Sequence, residues 1–126
     1  MIEFRTSVEG LRPDQLDGFF VGWPSPPSPE RHLALLRGST HAVVALDGDR
    51  VVGFVTVLSD GVLMASIPLL EVLPGHQGRG IGRELVEVAV SLVGELYQVQ
   101  LCCDDDVRPF YEKLGFLRVN GMVRRL

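Results

Sequence analysis

Apolar positions recur along this chain at two periods, and the changes between them mark out its elements. Residues 2–5 alternate as a short strand. Arg12-Pro13-Asp14 predicts a helix through about Phe20, with proline at an early helical position. Residues 22–29, GWPSPPSP, make a proline-rich loop, and Ser28-Pro29-Glu30 caps a second helix running to about Arg37, before Gly38. Residues 41–46 and 50–58 are apolar and β-branched, and Asp47-Gly48-Asp49 turns them into a hairpin. Residues 61–73 hold the next strand. Pro68 interrupts it and cannot donate to a ladder, so a bulge or a parting of neighbours is expected there.

Beyond residue 80 the period becomes helical. Ile81, Leu85, Val88, Ala89 and Leu92 form a stripe, widened by Val86, Val90 and Val93 and ended by Gly94. Residues 97–102 read as a strand. Asp104, Asp105 and Asp106 open a helix that carries Phe110 and Leu114 and closes at Gly115. Residues 116–119 and 122–125 flank Asn120-Gly121, a strong hairpin signal. This order predicts an α/β (α+β) fold, a mixed sheet with helices on both faces.

Composition narrows the function more than the fold. At 126 residues, nearly half of them apolar, the chain reads as one globular domain over residues 1–126. A net charge of −4 argues against a nucleic-acid surface. No apolar run reaches the length of a membrane span and no signal peptide opens the chain, so no membrane partner is expected. Cys102 and Cys103 are adjacent and suggest no disulfide framework, which points to a reducing, cytoplasmic location; no metal is expected.

The chemistry concentrates between Leu69 and Val86. A strand over residues 69–73 runs into a glycine-rich turn over residues 74–80 and then into a helix. Glycines 78, 80 and 82 let the backbone curl tightly and let a ligand approach. The unpaired N–H groups and positive dipole end of such a helix favour anions, phosphates above all. The spacing is wrong for the dinucleotide fingerprint, and no lysine follows Gly82 as a Walker loop requires. The stretch instead resembles the acetyl-CoA motif V-x-P-x-x-[QR]-x-x-G-x-[GA] of the GNAT superfamily of N-acetyltransferases. Val72, Pro74, Gln77, Gly80 and Gly82 all match. Phe110-Tyr111-Glu112-Lys113-Leu114-Gly115-Phe116 matches the superfamily's second signature, FYxKLGF.

The resemblance implies a mostly antiparallel sheet, splayed between its fourth and fifth strands, and acetyl transfer from acetyl-CoA to a primary amine of a small molecule or peptide, with CoA as product. It implies that backbone groups of Gln77, Gly78, Arg79, Gly80, Ile81 and Gly82, with Arg83, hold the pyrophosphate. It implies that Leu70, Glu71 and Val72 offer backbone groups to pantetheine and the thioester, and that Tyr111 protonates the departing thiolate. His76, Arg79 and Arg83 add local positive charge.

Better-known members place a Glu or His base on the fourth strand, at positions that here hold Ser66 and Pro68. Glu71 is the nearest carboxylate, though alternation points it away from the Val72 face. Asp104 and Asp106 are better read as helix caps. No base is assigned. Cys102 and Cys103 are expected on opposite faces of their strand, one in the core and one towards the cleft. The segment after the first helix usually roofs the acceptor in this fold, which assigns Phe20 and Trp23 to the substrate wall. The same residues are open to a second reading as a homodimer surface. Two readings compete with catalysis: a non-catalytic acyl-CoA-binding or sensing module, motivated by the missing base, and a partner-binding domain using the GWPSPPSP loop.

Overall fold

The computed structural model describes all 126 residues, Met1–Leu126. Its centre is the hairpin of β2 (His41–Asp47) and β3 (Arg50–Ser59), with Gly48 at φ 62° in the turn. Both strands are aliphatic along their length because both of their faces are covered. Val43, Val44, Val51, Val52, Val55 and Val57 have no exposed surface. β1 (Ile2–Arg5) adds to the free edge of β2.

Successive residues of β3 point to opposite faces, and Gly53 and Phe54 show what each face receives. Above Gly53 lies α2 (Ile81–Val93); a Cβ at Gly53 would lie 3.1 Å from Leu85 and 3.3 Å from Ile81. On the other face, the Phe54 ring meets His32 of α1 (Pro29–Gly38) at 4.3 Å. Helices therefore cover both faces. The Ser28 side chain accepts from Arg31 N–H and starts α1 where the sequence predicts.

The strand holding Pro68 is broken into β4 (Met64–Ser66) and β5 (Leu70–Val72), both antiparallel to β3. Ser66 lies opposite Leu58 and Leu70 opposite Val55, so four residues on this side span three on β3. That extra residue is the bulge expected at Pro68. β6 (Gln98–Gln100) pairs in parallel with β4, and the last bond along this line runs from Ile67 N–H to the Gln100 carbonyl. Beyond Ile67 the two diverge, and β5 keeps β3 as its only strand neighbour. This is the splay, and it leaves one edge of β5 open.

Four sequence expectations need correction. No helix spans residues 12–20. A single tight turn covers Pro13–Gln15, where the Gln15 side chain folds back to accept from Arg12 N–H and donates to Asp49. Gly18 at φ 89° and Phe20 at φ 63° then end any helical course. β6 is shorter than residues 97–102, so Cys102 and Cys103 lie beyond it, and both are exposed rather than split between core and cleft. α3 (Arg108–Glu112) takes Val107 as its N-cap with no side-chain cap, so Asp104 contributes its carbonyl and not its carboxylate. The final hairpin around Asn120-Gly121 is absent, and Leu117, Val119, Met122 and Val123 are exposed. The segment lies across a cavity from β6, with Gly121 beside Cys102, but it makes no ladder hydrogen bonds there, and a turn signal alone does not fix two strands that lack them.

Candidate active site

The open edge of β5 is the first component. The bonds from Thr56 N–H to the Leu69 carbonyl and from Leu73 N–H to the Val52 carbonyl bracket the Phe54–Glu71 pair. By the alternation of an antiparallel ladder, Leu69, Glu71 and Leu73 spend their backbone groups on β3, whereas Leu70 and Val72 turn theirs to the open side. Of the three residues assigned to the cofactor on this strand, Glu71 thus has its backbone committed elsewhere. The Gln77 amide donates to the Val72 carbonyl at 3.0 Å, tying the glycine turn to the strand. The groups left open are those of Leu70 and the Val72 N–H.

The second component is the start of α2. Its N-cap, Gly80, sits at φ 81° with no side-chain cap, so the first N–H groups of a 13-residue helix face outward unpaired. Gly78 is also left-handed, at φ 78°. A Cβ at Gly80 would meet no protein atom within 4 Å, whereas one at Gly82 would touch Phe110 at 3.5 Å and Val72 at 3.7 Å. Gly82 therefore lets helix, strand and Phe110 close together, and Gly80 keeps the turn open to the outside. Arg79 and Arg83 are exposed and form no ion pair. His76 is turned aside: its Nε2 lies 3.1 Å from Asp47 Oδ2. The Ile81 side chain is buried in the core, leaving only its backbone to the site.

Tyr111, on α3, packs edge-on between Phe110 and Phe116 and borders a cavity of about 960 Å³ shared with Cys103, Asp105 and Arg108. No residue of the glycine turn lines this cavity. Burial, with a smaller contribution from Cys103, pushes the Tyr111 phenol up to about 12. The hydroxyl has no protein hydrogen-bond partner, and Tyr111 keeps a small exposed surface, 8%.

The third component was only half legible. Phe20 and Trp23 stand together, ring centroids 5.0 Å apart, but their exposures differ sharply. Phe20 is 4% exposed and its ring belongs to the core, beside His32 and Phe54; Trp23 is 49% exposed. Only Trp23 of the pair offers a side-chain wall. Phe20 is also the one non-glycine residue with positive φ, a conformation that costs roughly 1–3 kcal/mol. The Glu71 carboxylate, pointing away from Val72, accepts from Phe20 N–H at 2.8 and 3.0 Å and from Val21 N–H at 3.3 Å. The sequence contained the carboxylate but no sign of this contact, which joins residues about fifty apart.

His32 under this loop is 1% exposed, and neither ring nitrogen has a partner. Burial pushes its imidazole down to about 4. The folded chain holds it neutral, whereas the unfolded chain protonates it near 6.5. Its stabilising effect is therefore intact above pH 6.5 and is lost as pH falls towards 4. Between pH 7 and pH 5 unfolding should become easier by about 2 kcal/mol, and His32→Leu should remove most of that slope from urea midpoints measured across the range.

The model of the acetyltransferase (GNAT) family matches residues 8–116. A solved chain from Deinococcus radiodurans R1, described as a suspected acetyltransferase, is 50% identical with a TM-score of 0.96, covering 98% of this chain and 87% of that one. A GNAT family acetyltransferase structure from Streptococcus pneumoniae is 30% identical with a TM-score of 0.76, covering 100% of this chain and 98% of that one. Among curated proteins, Histone acetyltransferase TAP1 of Glycine max is 32% identical over 108 residues, which are 76% of this chain and 47% of that protein. The chain thus spans about half the length of that relative.

Proposed function

The chain belongs to the GNAT family of acetyltransferases and has its fold, and we propose that it transfers an acetyl group from acetyl-CoA to a primary amine by direct attack in a ternary complex. Residues 1–126 act as one catalytic domain in this reading. The observation that carries it is the pairing of an open strand edge at Leu70 and Val72 with an uncapped helix start at Gly80, joined by the Gln77–Val72 hydrogen bond. A thioester ligand with a pyrophosphate handle needs both parts at once.

In this reading the backbone N–H groups from Gln77 to Gly82 receive the pyrophosphate, and Arg79 and Arg83, free of ion pairs, add charge. Bound acetyl-CoA supplies the activated acyl group. The open groups of Leu70 and Val72 pair with the pantetheine amides and polarise the thioester carbonyl. Tyr111 holds its proton at every working pH and delivers it to the departing sulfur. The amine approaches past Trp23. It attacks as the free base, its proton passing to water, since neither Ser66 nor Pro68 can take it and the Glu71 oxygens already accept N–H groups. A small molecule or a peptide is the acceptor class. The soybean relative's name specifies histone, which favours testing a lysine peptide.

No helix is long and apolar enough to cross a membrane. The two exposed, free thiols at Cys102 and Cys103 suit a reducing compartment such as the cytoplasm.

Calorimetric titration with acetyl-CoA, with CoA and NADH as controls, tests the reading. Binding of the CoA ligands alone is expected, and absence of any acyl-CoA binding overturns it. The commitment of Glu71 to the loop favours one second reading, an acyl-CoA sensor that binds without transfer. Thiol release with any amine of a panel counts against that sensor.

A further inference from the structure

Glu71 forms no ion pair, and its backbone belongs to β3. Its carboxylate is instead aimed across the sheet face at a turn about fifty residues away, where it accepts from Phe20 and Val21 N–H. Phe20 lies at φ 63°. A bulky aromatic residue holds a left-handed conformation only where its surroundings over-determine it. Two constraints do so here. The Phe20 ring packs against His32 and Phe54, and its N–H is held by both Glu71 oxygens. Phe54 stands directly opposite Glu71 in the β3–β5 register, so ring support and carboxylate reach the turn from paired positions. Gly18 at φ 89° and Gly22 at φ 83° flank the turn, and Trp23 N–H donates to the Phe20 carbonyl at 3.2 Å. Trp23 is carried on whatever fixes Phe20.

We propose that the Glu71 carboxylate is a positioning residue: it latches the 20–23 turn onto β5 and so fixes where Trp23 stands relative to the open backbone of Leu70 and Val72. This rests on the reading of β5 as the thioester strand. Strand and turn then move as one body, and the acceptor wall keeps its distance from the acyl carbon. The latch also gives Glu71 a task other than proton abstraction.

The chain has one tryptophan, Trp23, so its fluorescence reports the turn in the free protein before any ligand is added. Glu71→Gln keeps the length of the side chain but sets an NH₂ against an N–H donor. Glu71→Asp keeps the charge and shortens the reach. Acrylamide quenching of Trp23 is expected to rise about twofold or more in Glu71→Gln, with a red-shifted emission, and to rise less in Glu71→Asp. Acetyl-CoA titrated by calorimetry should keep its dissociation constant within about threefold of the parent chain in both variants. Circular dichroism checks that each is folded, and Glu71→Asp decides the matter if Glu71→Gln is not. Unchanged quenching in a folded variant overturns the latch. Raised quenching with lost acetyl-CoA affinity also overturns the assignment, because Glu71 then serves the cofactor edge itself. If the parent chain binds no acetyl-CoA, the reading of β5 fails instead, and the quenching of the free protein still decides whether Glu71 holds the turn.

Discussion

Replacing Tyr111 with phenylalanine should slow acetyl transfer about 10²- to 10⁴-fold while leaving acetyl-CoA affinity unchanged, the size of effect expected when a positioned general acid is removed. The substitution deletes one oxygen and keeps the ring contacts with Phe110 and Phe116. Because the hydroxyl has no protein partner, the unfolding free energy from urea titration should change by less than about 0.5 kcal/mol. Rate and stability therefore separate cleanly. The phenol, held up to about 12 by burial, stays protonated throughout the usable pH range. Its ionisation thus produces no fall in rate below about pH 11, and any decline on the alkaline side below that has another origin. Thiol release with the fastest amine of a panel gives the rate, and calorimetry gives the affinity. A Tyr111→Phe chain working within about threefold of the parent would mean that the thiolate leaves without this proton.

How much of this was legible beforehand follows from where each constraint resides. The glycine turn, α2 and the β2–β3 hairpin depend on local chemistry: residues that permit left-handed backbone, a continuous helical stripe, and two aliphatic runs around Gly48. Such signals sit within one stretch of chain and can be read there. Pro68 belongs with them, since a missing N–H disrupts a ladder wherever the strand goes, and the one-residue slip between β4 and β5 is the outcome. The segment before Gly22 departs from the helix its sequence predicts because its shape comes from outside itself. Gln15 is drawn to Asp49, the Asp17 carbonyl accepts from Arg50, and Phe20 is held by Glu71. A proline at a helix-like start cannot compete with three anchors supplied by β3, β5 and the turn before β3. The tail fails in the opposite way. Asn120-Gly121 is a good local turn, yet residues 117–125 make no backbone hydrogen bond to β6 across the cavity they share, and Phe116 is the last residue tied down, by its N–H to the Tyr111 carbonyl. The same division runs through the candidate site. The motif residues were readable, but the splitting of Leu70 and Val72 from Glu71 depends on the β3 register, and the burial of Phe20 on a histidine from α1.

Gly80→Val should abolish measurable acetyl-CoA binding, a loss of at least about 100-fold or roughly 3 kcal/mol. Two costs must be kept apart. Valine at φ 81° pays a backbone penalty of about 1–2 kcal/mol for a left-handed L-residue, and that appears in stability. The second cost falls on the ligand. A Cβ at Gly80 meets no protein atom within 4 Å, so packing does not require glycine there. The space it keeps clear is the approach to the N–H groups at the start of α2, which a branched side chain would cover. Gly10 supplies the control, because it too lies at φ 81° with nothing within 4 Å of a Cβ, and it sits outside the glycine turn. Gly10→Val should lower the urea midpoint by a similar amount and leave acetyl-CoA affinity unchanged. Equal destabilisation with affinity lost only in Gly80→Val assigns the difference to ligand approach. If Gly80→Val instead binds acetyl-CoA like the parent chain, the pyrophosphate does not rest on this helix start. The exposed cations at Arg79 and Arg83 would then need another explanation.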